Sequence, residues 1–282
     1  MNLNIKTSYM TNNPCYKKGA SRKAIGLQLH TIGAAQGSAE AIRDSMNRSD
    51  YEAAVNAIVD SEEEGKVLLT LPDGMRSWAD GGYGNQSLYT FEIGESDAMK
   101  YVPGTAEYTV TDEKRFKEDI LRGYRNAVAF CAAKCRENGW DPLSKLGSGL
   151  YTISSHDEGR RAGLSTAHVD PTHIWDRLGL TMDQFRKDVK TAMENASAPG
   201  GQGDEAPSGS GKSWYKVQCG AFKSEEKAKA MAAELKKKGV DTFVFQDGGW
   251  YKVQCGAYEK KTNADRQKKQ LEELGYEAFV TV

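Results

Sequence analysis

Residues Trp214 to Ala221 read WYKVQCGA, and Trp250 to Ala257 read WYKVQCGA again, 36 residues further on. Eight identical residues in register mark a duplicated unit, and a repeat defines architecture before any single motif does. In the first copy Tyr215, Val217 and Cys219 alternate with Trp214, Lys216 and Gln218, the period of a β-strand. A helix follows from about Ser224, with Ala228, Met231, Ala232 and Leu235 on one face and Gly239 as its stop. Thr242 to Phe245 reads as a second strand, and Asp247-Gly248-Gly249 turns into the next copy. The second copy gives a helix from about Thr262 to Leu274, a stop at Gly275 and a last strand over Ala278 to Val282. The order βαββαβ predicts one four-stranded sheet backed by two helices over residues 213–282. If Val217 and Cys219 face the helices, then Trp214, Lys216 and Gln218 face outward, and Trp250, Lys252 and Gln254 do likewise. Such an open face of aromatics and amides is a binding surface; the plain alternative is ordinary exposed sheet residues. RNA-binding domains use aromatics on the same kind of sheet, but the aromatic-rich Lys/Arg signature of that family is missing.

Upstream of the repeat, Ala196 to Lys212 (ASAPGGQGDEAPSGSGK) has nothing to bury and reads as a flexible linker, which leaves residues 1–195 as a separate domain. Gly211-Lys212-Ser213 ends like a phosphate-binding loop, but the required earlier glycine is Ala206 and no strand precedes it. The 282 residues suit two domains, and 38 Lys+Arg against 39 Asp+Glu leave a net charge of −1. No global field therefore argues for nucleic acid or an anionic membrane surface. No apolar run approaches the roughly 18–20 residues of a membrane span. Met1 to Met10 lacks an apolar signal core, so the expectation is a chain made in the cytoplasm without an ordinary secretion signal. The five cysteines are odd in number and widely spread, unlike a secreted disulfide framework.

The first 195 residues read as mixed α and β. Ala24 to Leu29, Lys66 to Leu71 and Ser87 to Ile93 are expected strands, the first ending at His30. The best helix runs from about Thr111 to Asn138, with Phe116, Ile120, Tyr124, Val128, Cys131 and Cys135 along one stripe. Cys131 and Cys135 read as core thiols rather than metal ligands. All four histidines, His30, His156, His168 and His173, lie in this domain, three of them within Ser155 to Trp175 (SHDEGRRAGLSTAHVDPTHIW). A region rich in His and Asp, joined by a distant His at a strand end, suits a zinc site of three protein ligands and an open position; surface histidines in a polar loop are the alternative.

In order along the chain, Asn13-Pro14-Cys15-Tyr16-Lys17-Lys18-Gly19, Gly26-Leu27-Gln28-Leu29-His30-Thr31, Arg76-Ser77-Trp78-Ala79-Asp80-Gly81, Asn85 to Ile93, Ser155-His156 and Asp170-Pro171 make residues 1–190 resemble the type-2 N-acetylmuramoyl-L-alanine amidases, in particular the clostridial autolysin and prophage endolysin branch. Asp80 stands where that family usually carries a His. The resemblance implies a mixed central sheet flanked by helices, a Zn2+ cofactor, His30 and His156 as imidazole ligands, Asp170 as the third ligand and Glu92 as the catalytic carboxylate. His168 falls where relatives place a polar group that steadies the oxyanion; it could instead be the third ligand. His173 would be structural or lie outside the ligand set. The Val217 to Ala221 and Val253 to Ala257 motifs make residues 213–282 resemble SPOR domains, ferredoxin-like modules that bind glycan strands stripped of stem peptides. That implies glycan binding by Trp214, Gln218, Trp250 and Gln254, with Cys219 and Cys255 in the core.

The expected activity is hydrolysis of the bond between N-acetylmuramic acid and L-alanine in peptidoglycan. Cleavage within the stem peptide and wall recognition without catalysis are the competing functions. Peptidoglycan is the expected partner, with no nucleic acid and no membrane insertion, and the chain is expected to be a monomer. Release through a holin or by cell lysis would bring it to the wall.

Overall fold

A computed structural model describes residues 2–197, 215–238, 240, 242–258 and 261–281. Trp214, Gly239, Val282 and the expected linker beyond Ser197 lie outside the described residues. The chain divides into two units, residues 1–202 and 203–282.

In the first unit β1 (Asn4–Thr7) and α1 (Pro14–Lys18) lead to β2 (Leu27–Thr31), α2 (Ala39–Met46), β3 (Ala57–Val59) and β4 (Lys66–Leu69). Then come α3 (Tyr83–Ser87), β5 (Tyr89–Ile93), a ribbon of β6 (Met99–Tyr101) and β7 (Tyr108–Val110), and α4 (Glu113–Asn138). β8 (Ile153–Ser155), α5 (His156–Arg161), α6 (Thr172–Trp175) and α7 (Met182–Ser197) complete it. The six-stranded sheet has the order β1-β4-β3-β5-β2-β8. Its β3, β5, β2 and β8 run parallel, and β4 runs against β3.

Period-two alternation sorts the strand residues. Leu27, Leu29, Val59, Phe91 and Ile93 pack with Phe116, Ile120, Phe130, Cys131 and Cys135 of α4 and with Phe185 and Val189 of α7. Ile58 and Leu68 face the opposite way, onto Met10, Cys15, Ile42 and Met46. Each large side chain of this kind, fully buried, contributes about 1.5–3 kcal/mol, so both faces are committed. Alternation then sends Gln28 and His30, and beside them in register Thr90 and Glu92, to the face away from α4.

The expected first strand begins three residues late and includes His30. Gly26, just before it, lies so close to the neighbouring backbone that a Cβ there would stand 2.4 Å from the Thr152 carbonyl oxygen. The long helix falls within one or two residues of its expected bounds, capped by the Asp112 side chain and by Gly139 at φ 68°. Cys131 and Cys135 are fully buried within it. Burial pushes the Cys131 thiol well up and that of Cys135 to about 12, so neither offers a thiolate to a metal near neutral pH.

The second unit contains β9 (Tyr215–Phe222), α8 (Glu225–Lys237), β10 (Phe243–Asp247), β11 (Trp250–Tyr258), α9 (Lys261–Glu273) and β12 (Phe279–Thr281). Its sheet has the order β10-β11-β9-β12, with every pairing antiparallel. Val217, Cys219, Val253 and Cys255 pack against Ala228, Leu235, Ala264 and Leu271 of the two helices. The βαββαβ plan and its inward face are those expected from the repeat.

Candidate functional site

Three neighbouring parallel strands deliver the site at their carboxyl ends, the position where open α/β sheets hold ligands. β2 carries His30, and β5 carries Glu92 opposite it in register. β8 ends at Ser155, whose hydroxyl accepts the Glu158 N–H at 3.1 Å, while the Ser155 N–H donates to Glu158 Oε2 at 3.1 Å. This capping box starts α5 and makes His156 its first residue. Arg186, 2% exposed, grips Glu158 through two bonds of 3.0 Å and donates to the Ile153 carbonyl, tying α7 to the strand that aims His156. The Asp157 N–H donates to the Asp170 carbonyl at 3.1 Å and brings the third residue in.

His30, His156 and Asp170 converge, with one ligand atom from each lying within 4.8 Å of the others. The two Nδ1 atoms are 3.0 Å apart, and Asp170 oxygens lie 3.2 Å from His30 Nδ1 and 3.3 Å from His156 Nδ1. Each imidazole is held from behind. His30 Nε2 lies 3.3 Å from Gln28 Oε1, an atom that can only accept. His156 Nε2 lies 3.0 Å from Thr166 Oγ1, whose own proton goes to the Asp80 carbonyl at 3.1 Å. Both Nε2 atoms are therefore N–H donors, and in the neutral rings both Nδ1 atoms present lone pairs to one point. Two lone pairs and a carboxylate at 7% exposure or less call for a positive charge. Glu92 Oε2 is buried with no hydrogen-bond partner among the described residues. A His/His/Asp donor set with a neighbouring carboxylate fits zinc.

The protonation pattern agrees. Burial opposes charge on His30, but Asp170, Glu92 and Asp80 outweigh it and raise its pKa. The Asp170 carboxyl is lowered because the two imidazoles outweigh burial. Burial, with His30 and His168 adding, takes His156 down to about 4. In the metal-free protein these carboxylates favour a proton on His30. Burial pushes half-buried Glu92 up to about 8 against the pull of His30, with Asp170 and Glu95 adding.

His168 is exposed, and its ring centre lies 5.0 Å from that of His156; the group of three contains Asp170 instead. Asp80, fully buried, accepts the N–H groups of Gly82, Gly84 and Asn85 at 2.7–2.9 Å, so its carboxylate organises α3. A Cβ on Gly84 would fall 1.7 Å from Gln28 Oε1, so a larger residue there would push the Gln28 amide from its place behind His30.

Four residues beside the site were not singled out by sequence. Gln28 shares the face of His30 two positions on, a period-two signal that was available; Thr166 carries none. Glu95, fully buried, accepts from the Gly33 N–H at 2.9 Å and the Tyr101 hydroxyl at 2.7 Å, and Tyr101 Oη lies 2.8 Å from His173 Nε2. His173 thus joins the β6–β7 ribbon to the segment carrying Asp170 and stands outside the group of three.

On the open face of the second unit, register aligns Phe243, Gln254, Gln218 and Phe279 in one row across all four strands. Phe243 and Phe279 are 56% and 46% exposed; Gln218, on the outward face as expected, is only 6% exposed between its neighbours. The Lys223 ammonium sits 3.9 Å over the exposed Trp250 ring. Both phenylalanines were missed because they lie outside the duplicated motif.

The first unit has the α/β amidase-like fold seen in the Staphylococcus aureus hydrolase AmiA in complex with its ligand. That structure matches at 19% identity and a TM-score of 0.52, over 68% of this chain and 84% of the other. A mutant endolysin from Bacillus subtilis matches at 16% identity and TM-score 0.44, over 66% of this chain and 99% of its own. Residues 211–281 match the SPOR domain model, so the second unit belongs to that family. The peptidoglycan binding domain of the B. subtilis cell wall lytic enzyme CwlC is 38% identical, with a TM-score of 0.25, over 27% of this chain and 96% of that one. No curated protein matches the chain.

Proposed function

We propose that the chain is a zinc-dependent peptidoglycan hydrolase that cleaves the amide between N-acetylmuramic acid and L-alanine. On this reading residues 1–195 are the catalytic domain, 196–212 a linker and 213–282 the wall-binding domain. The observation that carries it is the convergence of His30, His156 and Asp170 beside Glu92 at the carboxyl ends of three parallel strands. His30, His156 and Asp170 would hold the metal. Bound there, zinc supplies Lewis-acid polarisation of the scissile carbonyl and lowers the pKa of bound water to roughly 7.

The chain's own groups do the rest. Gln28 and Thr166 fix the tautomers that turn both Nδ1 atoms inward. Glu92 takes a proton from the attacking water and hands it to the departing amine, a task for which a raised carboxyl pKa is suited. His168, exposed beside His156, steadies the oxyanion. In the second unit Gln218, Gln254, Trp250 and Trp214, with Phe243 and Phe279, offer amides and flat rings to bare sugar, the ligand implied by the SPOR match.

Digestion of purified peptidoglycan followed by product mass analysis tests this. Stem peptides beginning with L-alanine and intact glycan strands are expected, and chelation should abolish their release until zinc is restored. New amino termini inside the stem would make the enzyme an endopeptidase. Undiminished release from protein stripped of metal would remove zinc from the reaction.

A further inference from the structure

The two copies of the repeat meet at their own equivalent residues. β9 and β11 are central antiparallel neighbours, and their register sets Gln218 opposite Gln254, residue n against residue n+36. A local two-fold relation therefore runs between these strands. It brings the next residue of each copy, Cys219 and Cys255, together on the inward side. Their Sγ atoms are 2.7 Å apart. That is well inside an ordinary contact between two unbonded sulfurs. The thiols are 3% and 2% exposed, among Val217, Val253, Ala228 and Ala264. No polar partner competes for either sulfur in the described contacts. A register shift flanks Gln254 on each side, consistent with strands adjusted where the sulfurs meet.

We infer that Cys219 and Cys255 form a disulfide that joins the two repeats covalently. The reaction balances with a small-molecule disulfide, such as oxidised glutathione, as the oxidant. One protein thiolate attacks a sulfur of that disulfide, displaces one thiolate and gives a mixed disulfide. The second cysteine attacks the protein sulfur of the mixed disulfide and expels the other thiolate. The two protein thiol protons leave on the two released thiols, and two electrons pass to the oxidant. Because both sulfurs are buried in the finished sheet, exchange takes place while β9 and β11 are assembling or transiently open.

The link closes a loop of 36 residues within a small domain that has a single two-layer core. It also ties β9 to β11 one residue from the Gln218–Gln254 pair, so it fixes the register of the row that faces the ligand. Cys15, Cys131 and Cys135 are buried in the first unit and lie in other packing clusters. They are expected to stay as thiols. The inference is independent of the proposed hydrolase activity.

The test uses the full chain, refolded in mixtures of reduced and oxidised glutathione, unfolded under acid quench and alkylated. Tryptic peptides 217–223 and 253–260 should appear joined, lighter by two hydrogens than the reduced pair, while Cys15, Cys131 and Cys135 are alkylated. The thermal transition of the C-terminal unit should rise by roughly 10–20 °C on oxidation. Cys219→Ala, which keeps a small apolar group in the core, should fold and lose that oxidant-dependent rise. Full alkylation of Cys219 and Cys255 under oxidising conditions, or their appearance only as separate glutathione adducts, would overturn the inference.

Discussion

Glu92 is the residue on which the proposed chemistry turns. It faces His30 across two parallel strands, and its carboxyl, pushed up to about 8, holds a proton in the metal-free protein near neutral pH. Glu92→Gln should keep zinc bound and lower turnover by about 10²–10⁴-fold, the usual contribution of a general acid–base group. Zinc content and kcat measured on one sample decide it; near-normal kcat with full zinc removes Glu92 from the mechanism. Thr166 makes a different prediction. Its hydroxyl accepts from His156 and donates to the Asp80 carbonyl, so Thr166→Val keeps the shape and loses the tautomer lock. Zinc affinity, read by chelator competition, should fall about 10–100-fold, and Thr166→Ser should restore it. Unchanged affinity in the valine variant would reduce Thr166 to packing. The His- and Asp-rich stretch with His30 at a strand end already pointed to a metal site, and the structure brings His30, His156 and Asp170 together; the choice of Asp170 and of Glu92 rested on an ordered set that resembles a family. Thr166 was not legible, because its role depends on a loop folding back onto a carbonyl 86 residues away.

At the scale of elements, periodicity found what burial makes periodic. The stripe of α4 and the alternation of β9 and β11 face one continuous core each, and their bounds fell within a few residues. β1, β3 and β8 are three or four residues long, too short for a period to register. The β6–β7 ribbon was also missed: its strands are three residues each, and besides the apolar packing of Met99, Tyr108 and Val110 it is held by a buried polar anchor. Glu95, with Tyr101 and Gly33 donating to it, is pushed by burial up to about 7 even so. Between its ordinary carboxyl pKa of about 4.3 and about 7 the folded chain keeps a proton that the unfolded chain has lost. This contribution to stability is therefore complete below the lower value and is lost as pH rises through the higher one. The loss is on the order of 3 kcal/mol. Denaturant titrations from pH 4.5 to 8.5 should show a falling slope in the native chain, and Glu95→Gln should make it shallower, leaving the part that Glu92, also raised, contributes. An identical slope in both proteins would mean other groups carry it.

At the scale of the whole molecule, the proposed chemistry and the proposed binding lie in different units. Every histidine lies in the first unit, and the repeated motif lies wholly in the second. Covalent connection raises the effective concentration of the site near whatever the second unit holds, without altering the chemistry. The glutamines of the central row are the proposed means: Gln218 and Gln254 face each other across β9 and β11, with the exposed rings of Phe243 and Phe279 beyond them. Substituting Gln218→Ala and Gln254→Ala together removes both amides while leaving the inward core of Val217, Val253 and the two cysteines intact. On small soluble muropeptides the doubly substituted chain should turn over at the native rate, because the site residues are untouched. On insoluble wall already stripped of part of its stem peptides, its rate should drop about tenfold or more, at the low end of what linkage supplies. On intact wall, which offers little bare glycan, the two proteins should differ less. Sedimentation of protein with intact and stripped wall, run beside both rate assays, separates the outcomes. Equal loss on soluble and insoluble substrates would indicate damage to the fold, and no loss on stripped wall would show that this face is not where the second unit meets its ligand.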